Sequence, residues 1–86
     1  MSLVHLVSRA SALDSCLRYV GPDDEVLLFA DGVYAAAEAR GAAIVVSAIE
    51  DDAIARGVSI DAPVGVIGYE GFVERVVAHD ASVTWT

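Results

Sequence analysis

Residues 25–36 read Glu-Val-Leu-Leu-Phe-Ala-Asp-Gly-Val-Tyr-Ala-Ala, and what happens at Asp31-Gly32 decides which folds are open to this chain. An apolar run rich in β-formers stops there and an alanine-rich segment begins. Asp-Gly between two apolar runs is a hairpin signal, because both residues tolerate positive φ. The eight residues after Gly32, however, include four alanines, and alanine is the best helix former. On that reading Asp31 is an N-cap, its carboxylate accepting from the free amides of the first helical turn. A hairpin begins an antiparallel sheet, whereas a strand-to-helix turn implies an α/β fold.

The rest of the chain decides between them. Leu3, Val4, Leu6 and Val7 make residues 2–7 a first strand, apolar almost throughout, as in a strand covered on both faces. A helix is predicted over 12–20, with Leu13, Cys16, Leu17 and Val20 at the spacing of one face. Gly21-Pro22 ends it, glycine suiting the C′ position and proline unable to continue. Strand 25–30 and a helix from Asp31 to Arg40 follow, then a strand over 43–48. Glu50, Asp51 and Asp52 open a short helix, where its dipole favours acids, and Arg56-Gly57 close it. Pro63 precedes a strand from Val64 to Gly68 or Tyr69. A helix over 70–78 places Phe72, Val73, Val76 and Val77 on one face, and residues 82–85 form a terminal strand. Such alternation predicts one α/β domain over residues 1–86, with a mainly parallel sheet, and favours the strand-to-helix reading.

Composition narrows the function. A fraction of 56 % hydrophobic residues is high for 86 residues, and short chains bury only about 60 % of their unfolded surface. Some apolar surface is therefore expected to lie against another subunit. No apolar run reaches the roughly 20 residues of a membrane span, and no basic segment precedes Leu3–Val7 as in a signal peptide. The expectation is a cytoplasmic protein without membrane attachment. Thirteen acids face five arginines and no lysine, giving a net charge of −8. That argues against direct binding to a nucleic-acid backbone, which needs clustered cations.

Few residues invite chemistry. Cys16 is the one cysteine, which excludes an internal disulfide. Its two readings are a sulfur-carrying thiolate and a small hydrophobe on a helix face. It lies mid-helix, without Lys or His near it in sequence. His5 reads as a hydrogen-bonded packing residue within a strand, and His79 as a cation at a helix C-terminus. With one cysteine and two distant histidines there is no zinc pattern, and single scattered glycines make no phosphate loop. No metal and no cofactor is expected. The acids 50–52 read as a solvated helix start. Tyr34, Tyr69, Phe72 and Trp85 are large groups available for contacts. Trp85 stands one residue from the chain end, so it docks either on its own domain or on a partner.

Four blocks in order then resemble the DsrH/TusB family of sulfur-relay proteins. They are Val4-His5-Leu6-Val7-Ser8-Arg9, residues 26–36 with Asp31-Gly32-Val33-Tyr34-Ala35-Ala36, residues 50–58 with Ala55-Arg56-Gly57, and Tyr69-Glu70-Gly71-Phe72-Val73 running to His79 and Trp85. Leu13-Asp14-Ser15-Cys16-Leu17 resembles the DsrH branch, where a cysteine occurs in this helix. The resemblance implies a three-layer αβα fold with about five strands. It also implies a hetero-oligomer with DsrE/TusD-like and DsrF/TusC-like subunits that passes persulfide sulfur to a DsrC/TusE-type carrier. The end point is 2-thiolation of a tRNA wobble uridine, or sulfur oxidation. The principal sulfur-bearing cysteine is expected on the DsrE/TusD-type partner, leaving this chain structural or auxiliary, with Cys16 as candidate carrier. His5, Asp31, Gly32, Tyr34, Tyr69, Phe72 and Trp85 are candidate interface or family-motif residues. The connection around 39–43 is shorter than usual for the family, which keeps a homo-oligomer open. The alternative class is a stand-alone homo-oligomeric thiol protein with sulfurtransferase activity centred on Cys16.

Overall fold

A computed structural model describes residues 1–86. Five strands, β1 (Leu3–Arg9), β2 (Glu25–Asp31), β3 (Val45–Ile49), β4 (Gly65–Ile67) and β5 (Ala81–Trp85), form one sheet in the order β4-β3-β2-β1-β5. Every neighbouring pair is parallel. The helices are α1 (Leu13–Leu17), α2 (Ala36–Ala39), α3 (Glu50–Ala55) and α4 (Tyr69–Ala78). The mainly parallel α/β sandwich expected from the alternation is thus present, with all five strands parallel.

The order explains the layers. From β1 to β4 the chain steps one strand at a time toward one edge, and right-handed crossovers keep α1, α2 and α3 on a single face. It then returns to the far edge, placing α4 on the opposite face. The first face carries Val7, Val26, Leu28, Val46 and Ala48 from the strands, packed with Leu13, Cys16, Ala36, Ala39 and Ala53 from the helices. The second face carries Leu27 and Phe29, and the Phe29 ring meets Phe72 of α4 at 5.8 Å between centroids. Leu27 and Leu28 point to opposite faces, yet both are fully buried. Two-sided burial is why these strands read as continuous apolar runs, and each such leucine is worth roughly 1.5–3 kcal/mol.

Several local expectations are corrected. The first helix is shorter than 12–20: a 3₁₀ turn, Ala10–Ala12, leads into α1, which ends at Leu17. Gly21 is therefore no C′ glycine; its N–H instead donates to the Asp24 carboxylate at 2.9 Å, closing the Gly21-Pro22 turn. The segment after Asp31 begins as a 3₁₀ turn, Gly32–Ala35, and only Ala36–Ala39 is α-helical. Asp31 has φ −68° and ψ −10°, which excludes the hairpin turn, and its carboxylate caps nothing. Positive φ falls one residue earlier, at Ala30. Gly32 has a different purpose, since a Cβ there would overlap the Val7 carbonyl oxygen and lie 2.8 Å from the Val7 carbonyl carbon. The glycine lets the chain leaving β2 press against the β1 backbone. In α4, Phe72 and Val76 turn inward while Val73 and Val77 stay exposed, so the four do not share the buried face.

Candidate functional site

The carboxyl ends of β2, β3 and β4 bring together four polar side chains from separate stretches of sequence. Asp31 ends β2, Asp52 and Arg56 come from α3 and the residue after it, and Tyr69 begins α4. Arg56 Nε donates to Asp31 Oδ1 at 2.8 Å, and Arg56 Nη1 donates to the Asp52 carbonyl at 3.2 Å. The Tyr69 hydroxyl donates to Asp52 Oδ1 at 2.6 Å, and the Ala30 N–H donates to Asp52 Oδ2 at 2.7 Å. Ala30 has φ 49°, a left-handed conformation that costs a non-glycine residue about 1–2 kcal/mol. The carboxylate of Asp52 helps to hold that backbone in place.

Each group in the cluster responds to the others. Burial pushes the Asp52 carboxyl up, but the Tyr69 hydroxyl, the Ala30 amide and the nearby Arg56 charge outweigh it and hold it below the ordinary value. The bond to Asp52 raises the Tyr69 phenol. The bond to Asp31 raises Arg56. All three therefore keep their ordinary charge states near neutrality. The acids 50–52 are not uniformly a solvated helix start, because Asp52 is half-buried and doubly bonded through its side chain. The Tyr69 ring, with Glu70, Val73 and Glu74, forms a shallow, open patch along the outer side of α4. Tyr34 is exposed on the 3₁₀ turn after Asp31.

Cys16 lies elsewhere, with none of its surface exposed. Desolvation pushes its thiol up to about 11, so the thiolate is scarce at neutral pH. It packs among Val7, Leu13 and Val26 in the main core.

His5 anchors a second network on β1. It is buried, with Nε2 3.0 Å from Asp24 Oδ2, while Trp85 Nε1 donates to Nδ1 at 3.0 Å. Because Nδ1 accepts, neutral His5 carries its proton on Nε2 and donates it to Asp24. Asp24 also accepts the N–H groups of Gly21 and Leu3, and these bonds together with His5 lower its carboxyl to about 2. Trp85 stacks on Tyr19 at 5.7 Å and packs on the core. Of the two docking modes open to Trp85, the structure shows the one on its own domain.

A third network closes the amino end of the sheet. Glu25 receives Arg75 Nη1 at 2.8 Å and pairs with His79 Nε2 at 2.7 Å, while His79 Nδ1 meets Ser2 Oγ at 3.0 Å. His79 is thus tied to a nearly buried carboxylate from a distant strand, not only to a helix end. Sequence reading singled out Asp31 and Tyr69 but missed Asp24, and it took Asp52 for solvent-facing. The Gly-Pro-Asp-Asp turn carried the available signal for Asp24, since Asp side chains in turns accept nearby backbone amides.

These features define a class: a small, doubly wound αβα domain with a fully parallel sheet, its polar groups cross-paired at both sheet ends. Residues 7–82 match the family described as DsrH like protein. The chain is 33 % identical over 95 residues to protein TusB of Enterobacter sp. (strain 638), covering 96 % of this chain and all (100 %) of that relative. It is 34 % identical over 95 residues to protein TusB of Escherichia coli (strain K12), with the same shares covered. The chain belongs to the DsrH family. The 95 aligned positions exceed its 86 residues, so these relatives carry residues that it lacks. No helix is long and apolar enough to cross a membrane.

Proposed function

We propose that this protein is a subunit of a cytoplasmic sulfur-relay complex, assembled with DsrE/TusD-like and DsrF/TusC-like chains. Sulfur travels there as a cysteine persulfide toward tRNA wobble uridine 2-thiolation or sulfur oxidation. Its own contribution is structural: it completes the complex while a partner's cysteine carries the sulfur. Family membership supports the relay. The burial of Cys16, with its thiol pushed up to about 11, supports the structural role, because a carrier must present a thiolate to donor and acceptor. The same burial weighs against a stand-alone sulfurtransferase centred on Cys16.

Co-expression with tagged DsrE-type and DsrF-type subunits tests the reading. The chain is expected to co-purify in fixed stoichiometry, and a Cys16→Ala variant to do so equally. Reproducible absence of the chain from the purified complex would sink the proposal.

A further inference from the structure

The geometry points to the outer face of α4 as the surface that docks another protein chain, one that is apolar at its centre and basic at its rim. This inference rests on the subunit reading and names where that subunit meets its partner. Tyr69, Val73 and Val77 stand four residues apart along α4, so they form one stripe. All three are exposed, at 52 %, 59 % and 77 %. Phe72 and Val76 fill the inward face of the same helix, which therefore carries apolar groups on two sides and has no fully buried residue. An apolar stripe left exposed on a helix whose other apolar side already packs on the sheet, rimmed by charged residues, is the mark of a protein contact surface.

The stripe has the form of a docking site. Tyr69, Glu70, Val73 and Glu74 form a shallow, open patch on the outer side of α4. The Tyr69 ring is fixed by its 2.6 Å bond to Asp52, so it offers a preorganised aromatic anchor.

Charge selects the occupant. Glu70 and Glu74 edge the patch, and the one cation on α4, Arg75, is bound to Glu25 at 2.8 Å. A second copy laid on this face would set acids against acids, between two chains of net charge −8. A different chain bringing Lys or Arg beside apolar residues satisfies both the stripe and the glutamates.

The test measures binding of the full chain to the co-purified DsrE-type and DsrF-type subunits of its own organism, at low and high salt. Val73→Asp and Val77→Asp are expected to weaken binding at least about tenfold. Their thermal midpoints should stay within about 3 °C of the parent, since both sites are exposed. Glu70→Lys with Glu74→Lys should weaken binding severalfold and flatten its salt dependence. Ile54→Glu, on the exposed side of α3, should bind like the parent. If the parent binds and the two valine variants bind equally well, the docking face is wrong while the relay reading stands. Failure of the parent to bind overturns both. Self-association of the isolated chain that Val73→Asp abolishes would also overturn it, by making a second copy the occupant.

Discussion

The carboxylate of Asp52 accepts the backbone N–H of Ala30 at 2.7 Å, and Ala30 is the one non-glycine residue with positive φ, 49°. A carboxylate from α3 thus stabilises a strained residue on β2, one position before the chain turns out of the sheet. The same carboxylate holds the Tyr69 hydroxyl, so the strained turn and the α4 anchor share one support.

Asp52→Ala should therefore cost about 2 kcal/mol, the size of a bond to a charged group. Ala30→Gly should stabilise the protein by about 0.5–1 kcal/mol, because relief of the left-handed strain exceeds the entropy glycine adds to the unfolded chain. In the double variant Asp52→Ala should cost less than in the parent, since a glycine adopts positive φ without needing to be held. Urea melts of all four proteins read the coupling, and strict additivity would remove the claim that Asp52 supports the strain.

Gly32→Ala should be far more damaging than its size suggests. The added Cβ meets Val7 backbone atoms, which are fixed in the centre of the sheet and cannot yield as a side-chain tip would. A loss of about 3 kcal/mol is expected. The control is Gly68→Ala, where a Cβ would find nothing within 4 Å. Equal stability of the two variants would refute the close-approach role.

How much of this was legible depended on range. The Asp31-Gly32 boundary and the parallel sheet followed from local composition and alternation, which strands buried on both faces impose directly. The purpose of Gly32 did not, because the contact that requires it lies on Val7 of another strand. Phe72, Val73, Val76 and Val77 looked like one inward face because a pattern of apolar residues cannot tell the core from a second, outward stripe. Asp24 and Asp52 were obscure for a related reason: acids satisfied by distant amides resemble acids satisfied by water. Of the candidate residues, Asp31 and Tyr69 meet at one cluster, and His5 and Trp85 meet at another.

Trp85→Phe tests the second pairing. Phenylalanine keeps the stacking on Tyr19 but removes the N–H that reaches His5, leaving a buried ring nitrogen unpaired. A loss of about 1–3 kcal/mol is expected, the cost of an unsatisfied buried acceptor. Nitrogen NMR of the parent should show the proton of neutral His5 on Nε2. A proton on Nδ1 would contradict the assigned donor and acceptor roles.

The Cys16 thiol should resist a soluble disulfide reagent in the folded protein and react at once in denaturant. Incubation with a persulfide donor should leave the mass of the folded chain unchanged. Stoichiometric gain of one sulfur atom under native conditions would restore Cys16 as a carrier.

Asp24 should leave a signature in acid. Its folded carboxyl lies at about 2 against an ordinary 3.8, held down by the Gly21 N–H, His5 and the Leu3 N–H. The unfolded chain binds this proton first, so the stabilisation is fully present above about pH 4 and fades as pH falls toward 2. Asp24→Asn removes that dependence together with the charge-assisted bonds. The variant should be less stable than the parent near neutrality, and the gap should narrow between pH 4 and 2. Urea midpoints measured from pH 7 to 2 provide the comparison, and parallel curves through that window would show that Asp24 does not carry the acid sensitivity.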